Sequence, residues 1–221
     1  MDEALERLLR WLRESKCDTC GLIHVPKGAS SPGRRTVRWD RGRGVAWIED
    51  SPDREKTVLI TVEGPDLSAQ WYISLPAALV EMGVKRIELR SWGWWILDDP
   101  KPPAVWIVDH ITCYLPGPLI GTDQARRGRA FMGMKHAYEE SHSMVSGILK
   151  DRDGLRDGIV WHTKEHEALG LGELESARAA GCSVASPNIA PWAIGARAAG
   201  CRFAAVVVDP LETTIALAHA E

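Results

Sequence analysis

Apolar residues along this chain recur at two spacings, and the alternation between them predicts its elements. Between residues 2 and 15, Leu5, Leu8, Leu9 and Leu12 share one helical stripe, with Glu and Arg elsewhere, which predicts an amphipathic helix packed against a neighbour. Val45 to Ile48 and Thr57 to Val62 predict two strands of a hairpin across the turn-prone Asp50-Ser51-Pro52-Asp53. Leu75 to Met82 predicts a helix closed by Gly83. Arg86 to Leu89 and Val105 to Val108 predict two further strands. The Asp98 to Pro103 segment between them holds three prolines and is too short for a crossover helix, so a hairpin-like antiparallel return and a mixed sheet are expected. A polar loop with Gly117, Gly121 and Gly128 then leads to a helix predicted over 131–149, with Phe131, Met134, Ala137 and Tyr138 on one face. Strand Gly158 to His162, helix Gly172 to Ala180, a strand near Ser183, helix Pro191 to Ala199 and strand Arg202 to Val208 follow. Leu211 to Ala220 has room for a short closing helix. Alternation of this kind is an α/β architecture, in which loops beyond strand ends usually carry the ligand site.

The length of 221 residues fits one large domain, expected to span 1–221, with a divergent N-terminal helix and basic loop over 1–44 and an α/β core over 45–221. Hydrophobic content of 45% and charged content of 26% are ordinary for a soluble globular protein. A net charge of -3 gives no reason to expect nucleic acid or an anionic membrane as partner. No apolar run approaches the ~20 residues that span a bilayer. The acidic start, Met1-Asp2-Glu3-Ala4, argues against a secretory signal, and a cytoplasmic location is the default expectation. Five cysteines do not make a disulfide framework at this size. Cys17, Cys20 and His24 offer an incomplete zinc set with no fourth ligand in a second motif, so no metal is expected. Arg34, Arg35, Arg38, Arg41 and Arg43, in the stretch from Lys27 to Arg43, read as a solvated basic connector balanced by Glu49, Asp50, Asp53 and Glu55. A phosphate-holding loop would need a strand before it and a helix N-terminus after it.

Several motifs occur in a particular order: Gly83-Val84-Lys85-Arg86-Ile87, Asp109-His110-Ile111, Pro118 to Tyr138, Gly158 to Gly181, and Ala190-Pro191 with Ala196-Arg197 and Gly200. Together they resemble the nucleoside phosphorylase superfamily, and more closely its purine nucleoside and methylthioadenosine phosphorylase branch. The central stretch keeps Pro118-Leu119, Gly121, an acidic Asp123, Arg126, Gly128, Phe131, Met134 and Ala137-Tyr138 in register, and order and spacing agree from about residue 72 to 208. The resemblance implies a three-layer α/β/α sandwich with a mixed, partly barrel-like sheet, assembled into trimers or hexamers. It also implies attack of phosphate on the anomeric carbon of a nucleoside, with no cofactor beyond inorganic phosphate as co-substrate. Such chemistry needs donors for phosphate, contacts to an oxocarbenium-like sugar and a polar group that stabilises charge on the departing base.

Carried onto this sequence, the resemblance finds a scaffold with substituted site positions. The small-residue turn that approaches phosphate and sugar in the family reads Ser91-Trp92-Gly93-Trp94-Trp95, so Ser91 and Gly93 are the expected phosphate contacts and Trp92 fills space at the substrate. The purine-reading glutamate falls on Leu169, with Glu165 and Glu167 nearby, Glu167 being the candidate a shifted loop would deliver. The methionine under the ribose becomes Pro187, with Asn188 beside it, and the glutamate after the motif proline becomes Trp192. Asp209 is the acid available at the last strand, facing either a ligand or only the turn before Pro210. Catalytic candidates are therefore Asp209 and Glu167, and substrate-binding candidates are Trp92, Pro187, Asn188 and Leu169. His110 reads as a strand-end residue satisfied by backbone or water, and His162 and His166 as solvent-facing loop residues.

Leu169 cannot accept a hydrogen bond from a purine N–H, so the expected function is a divergent family member without standard phosphorolysis, a nucleoside-binding, nucleobase-binding or assembly subunit. The alternative is an active phosphorylase or nucleoside hydrolase with an altered purine pocket. Expected partners are a nucleoside or nucleobase and further subunits, either identical copies or a paralogue.

Overall fold

The computed structural model describes residues 6, 10, 19–23, 36–39, 44–49, 57–62, 69–81, 86–97, 102–112, 118–119, 133–139, 155–163 and 169–208. The strands are β1 (Thr19–Ile23), β2 (Thr36–Trp39), β3 (Gly44–Glu49), β4 (Thr57–Val62), β5 (Arg86–Trp92), β6 (Trp94–Trp95), β7 (Ala104–Ile111), β8 (Arg156–His162), β9 (Cys182–Ser186) and β10 (Arg202–Val208). Three helices, here α1 (Ala69–Glu81), α2 (Leu171–Ala179) and α3 (Ile189–Ala199), are described whole. The strands form one sheet in the order β2-β3-β4-β1-β5-β10-β7-β8-β9-β6.

The hairpin predicted from Val45 to Val62 is present as the antiparallel β3–β4 pair. Part of the basic stretch expected to be a connector is instead strand, because β2 adds to β3 from Thr36↔Trp47 to Trp39↔Gly44. The sheet is mixed, as expected, but the predicted hairpin-like return from β5 to β7 is not formed. β10 lies between them, parallel to β5 and antiparallel to β7. Its sequence, Arg-Phe-Ala-Ala-Val-Val-Val, is buried almost throughout, as a strand covered on both faces must be.

One side of this sheet carries α1 and α3. Ile87, Leu89, Val105, Ile107, Val160, Val184, Ala205 and Val207 meet Leu75, Leu79, Ile189 and Trp192 there in the main core. Ala104, Trp106, Ala204 and Val206 share a separate cluster, as do Trp161, Cys182 and Ala185 with Ala177 of α2. Strand alternation sets these residues on the opposite face of β7, β10, β8 and β9, so the layers are α, β and α. Full burial of Leu75, Leu79, Ile87 and Leu89 contributes roughly 1.5–3 kcal/mol per side chain.

Two close approaches shape the architecture. Gly93 is all that separates β5 from β6, yet β6 pairs with β9 at the other edge, Trp94↔Ala185 and Trp95↔Val184. The segment β5-β10-β7-β8-β9-β6 therefore closes on itself through one residue, which is the barrel-like part of the sheet. A Cβ at Gly93 would run into the Ala185 carbonyl oxygen and lie 3.1 Å from Val207 Cγ1. The second approach joins the helices. Pro76 inside α1 has no N–H to offer the Tyr72 carbonyl one turn back, and α3 brings Gly195 against that carbonyl.

The helix predicted over 131–149 is absent where the chain is described. Residues 133–139 form loop and turn, and His136 has a left-handed φ of 59°, incompatible with a continuing right-handed helix. Ala137 and Tyr138 are nevertheless buried and Met134 packs on the main core, so the apolar spacing marks inward-facing positions of an irregular segment. Phe131 and residues 140–149 lie outside the described residues, as do Leu5, Leu8, Leu9, Leu12 and Leu211 to Ala220.

Candidate functional site

The closure at Gly93 brings the end of β5 to the end of β9, so two strand termini distant in sequence share one polar patch on the α1–α3 side. Ser91 and Ser186 are buried, and their hydroxyls lie 3.3 Å apart as a hydrogen-bonded pair. Asn188, two residues after Ser186 and just before α3, is also buried, and its Oδ1 accepts a hydrogen bond of 3.2 Å from the Tyr72 hydroxyl of α1. Burial raises Tyr72 well above the ordinary phenol range, which keeps it a donor. Its ring meets Trp192 edge to face at 5.3 Å.

Two imidazoles extend the patch. In parallel β7 and β8, His110 is registered with Val160 and Ile111 with Trp161, so His162, two residues past Val160, projects on the same face as His110. His162 Nδ1 donates to the Ser186 carbonyl at a long 3.5 Å. Burial lowers His162 to about 4; the Ser186 contact opposes that drop and the neighbouring His110 adds to it. His110 Nδ1 shares a 2.9 Å hydrogen bond with the Tyr138 hydroxyl. Burial lowers His110 as well, partly offset by the Asp109 carboxylate, and burial raises Tyr138. Near neutral pH the patch is therefore assembled from uncharged groups: two hydroxyls, a carboxamide, two imidazoles and two phenols. Such groups can exchange hydrogen bonds with hydroxyls and heteroaromatic edges without carrying net charge.

Of the residues expected to form the site, the structure gathers Ser91 and Asn188 here and buries Pro187 between Ser186 and Asn188. Gly93 is buried at the crossing described above, where close packing alone accounts for a glycine. Trp92 lies in β5, and its neighbours Trp94 and Trp95 are half-buried, packed on the α2-side cluster and the main core respectively. Leu169 is not part of this patch. It packs with Ile96, Trp161, Ala177, Cys182 and Ala185 on the α2 side of the sheet. Asp209, Glu165, Glu167 and His166 lie outside the described residues, as do Cys17 and His24. Among the described residues no three His, Cys, Asp or Glu side chains form a metal-holding group, and no helix is long and apolar enough to cross a membrane.

His162 corrects the expectation of a solvent-facing loop residue: it is a half-buried strand end. His110 is a strand-end residue as expected, but its partner is the Tyr138 hydroxyl. Tyr72 and Ser186 were not among the candidates. The signal for His162 was available, since alternation through Val160 carries its side chain to the core face.

No protein-family model matches the chain, and no curated protein matches it significantly in sequence. Solved structures do match in shape. Schistosoma mansoni purine nucleoside phosphorylase in complex with BCX-34 superposes with a TM-score of 0.71 at 16% identity, over 95% of this chain and 87% of that one. A purine nucleoside phosphorylase in complex with ribose-1-phosphate gives 0.66 at 17%, over 94% and 87%. The Schistosoma mansoni protein with inosine gives 0.64 at 18%, over 94% and 82%. Shared shape over nearly the whole chain, with the mixed sheet closed through Gly93, shows that this protein has the nucleoside phosphorylase fold.

Proposed function

We propose that this protein binds a nucleoside or nucleobase at the patch formed by Ser91, Ser186, Asn188 and Tyr72, and does not carry out ordinary phosphorolysis of 6-oxopurine nucleosides. The observation that carries the reading is the contrast between this buried, uncharged hydrogen-bonding patch and Leu169, which takes the sequence position where the resemblance puts the purine-reading carboxylate and packs on the other side of the sheet. The patch keeps groups that can meet ribose hydroxyls or a base edge. Leu169 is committed to an apolar cluster with Trp161 and Ala177, and an aliphatic side chain offers no acceptor for a purine N–H. Losing one such preorganised interaction costs roughly 3–4 kcal/mol of transition-state stabilisation, a factor of ~100–1000 in rate. Fold neighbours solved with inosine, guanosine and ribose-1-phosphate make nucleosides the first ligands to try. Inorganic phosphate is retained in this reading as a ligand to be tested, and the protein acts as a binding or assembly subunit among copies of itself or a paralogue. The reading is tested by titration calorimetry with inosine, guanosine, adenosine, methylthioadenosine and the free bases, each with and without phosphate. Saturable heat that is lost in a Ser186→Ala, Asn188→Leu double variant supports it; no heat from any ligand overturns it.

A further inference from the structure

Given a nucleoside or nucleobase bound at the patch of Ser91, Ser186 and Asn188, the reading on which this inference rests, we propose that His162 reads the base: its Nε2 lone pair accepts a hydrogen bond from an N–H of an uncharged nucleobase, the contact that Leu169 cannot make. Backbone register puts the residue there. Parallel β8 and β9 pair His162 with Ser186 and Val160 with Val184. Val160 and Val184 both lie in the main core, so alternation carries His162 to the α1–α3 side, beside the serine whose hydroxyl meets Ser91 at 3.3 Å. His162 also closes β8 at its C-terminal end, the end of a parallel strand at which α/β sheets take their ligands.

The tautomer of this ring is set by a partner that cannot donate. The Ser186 carbonyl lies 3.5 Å from His162 Nδ1 and also takes the Thr163 N–H at 3.4 Å, so two donors share it and neither bond is short. A carbonyl facing an unprotonated Nδ1 would set lone pair against lone pair. The one proton of the neutral ring therefore sits on Nδ1, and Nε2 keeps its lone pair. Burial keeps the ring neutral at pH 7, lowering it to about 4. Among the described residues, the one side-chain nitrogen or oxygen sealed from solvent without a hydrogen-bond partner is Trp192 Nε1. Nε2 of His162, on a half-buried ring and bonded to none of those residues, is thus open to a ligand. His110 differs, because its Nδ1 partner is the Tyr138 hydroxyl, which can donate or accept and leaves that ring's tautomer unset.

An acceptor of this kind selects by where the ligand carries its protons. The hydroxyls of Ser91 and Ser186 and the carboxamide of Asn188 can each donate and accept, which suits ribose hydroxyls, whereas the neutral Nε2 lone pair only accepts. A lactam base with a ring N–H, as in inosine, satisfies it. Purine riboside, whose free ring nitrogens are all acceptors, opposes one lone pair to another, and a mismatch of this kind weakens binding on the order of 10-fold.

The test uses the intact protein with nitrogen-15 histidine. At pH 7 and before any ligand is added, proton–nitrogen correlation spectra are expected to show a ring protonated at Nδ1, assigned to His162 by its absence from His162→Leu or His162→Gln. Titration calorimetry is expected to give inosine about 10-fold tighter than purine riboside, a preference that falls to within about twofold in His162→Leu. Inosine, and not purine riboside, should shift the His162 Nε2 resonance. Should neither variant fold, that shift on an Nδ1-protonated ring of the wild-type protein still decides. A His162 ring protonated at Nε2, equal affinity for the two nucleosides, or inosine bound with the Nε2 resonance unmoved overturns the contact and leaves the nucleoside reading standing. Absence of heat from every nucleoside and base removes that reading, and this contact with it, whatever the tautomer.

Discussion

Replacing Gly195 with alanine probes the contact that sets α1 against α3 and, through it, the Tyr72–Asn188 hydrogen bond. In most helix interiors this substitution stabilises, since alanine has the better helix propensity by about 1 kcal/mol. Here the added Cβ would meet the Tyr72 carbonyl, its carbon 2.8 Å away and its oxygen nearer still, with Pro76 Cγ at 3.6 Å. A carbonyl held in a helix cannot swing aside as a flexible side chain can, so α1 must retreat by more than about 1 Å before the oxygen clears the added methyl. Overpacking of this kind costs typically 1–3 kcal/mol, and a backbone obstacle belongs at or above the upper end. Set against the propensity gain, the net loss is about 2 kcal/mol, or a fall in Tm of ~4–8 °C for a chain this size. Gly172→Ala on exposed α2 is the control: a Cβ there meets nothing within 4 Å, and stability should hold or rise by up to about 1 kcal/mol. Urea denaturation followed by tryptophan fluorescence reads both variants. Equal or greater stability of Gly195→Ala would refute the claim that α1 and α3 touch through this glycine.

Two further substitutions separate packing from hydrogen bonding and from charge. Trp106 and Trp192 are both fully buried, but Trp106 Nε1 donates to the Glu139 carbonyl at 3.0 Å while Trp192 Nε1 has no hydrogen-bond partner among the described residues. Trp106→Phe should therefore destabilise by about 1–2 kcal/mol more than Trp192→Phe in the same denaturation assay. Leu169→Glu places a carboxylate in an apolar cluster, so it should lower stability by at least ~2 kcal/mol and restore no base release from inosine; a gain of turnover would show that the loop delivers this position to the ligand.

Local pattern was a good guide wherever neighbours in sequence decide the outcome. α3 and β10 carry continuous apolar runs, and β8, α2 and β9 follow the expected alternation, so their existence and order were legible. The β5–β7 return was not, because the strand inserted between them comes almost a hundred residues later and its pairing is set by apolar burial on both faces, not by the connection. Residues 133–139 misled for a different reason: Met134, Ala137 and Tyr138 have helical spacing, but so does a loop folded inward, and the left-handed turn at His136 leaves no mark on that spacing. At the site, Asn188 and Ser91 could be named from the family resemblance. Tyr72 and Ser186 could not: Ser186 meets Ser91 because the sheet closes through Gly93, and Tyr72 reaches Asn188 because α1 packs on α3 at Gly195.

The central claim is that the fold persists while ordinary phosphorolysis does not, and base release tests it most directly. Purified protein is incubated with inosine and excess phosphate, and hypoxanthine is followed by chromatography under conditions in which titration calorimetry detects a bound ligand. The account predicts turnover at or below about 0.1 per second, roughly 100-fold under an ordinary enzyme value of about 10 per second; turnover of about 1 per second or more would contradict it.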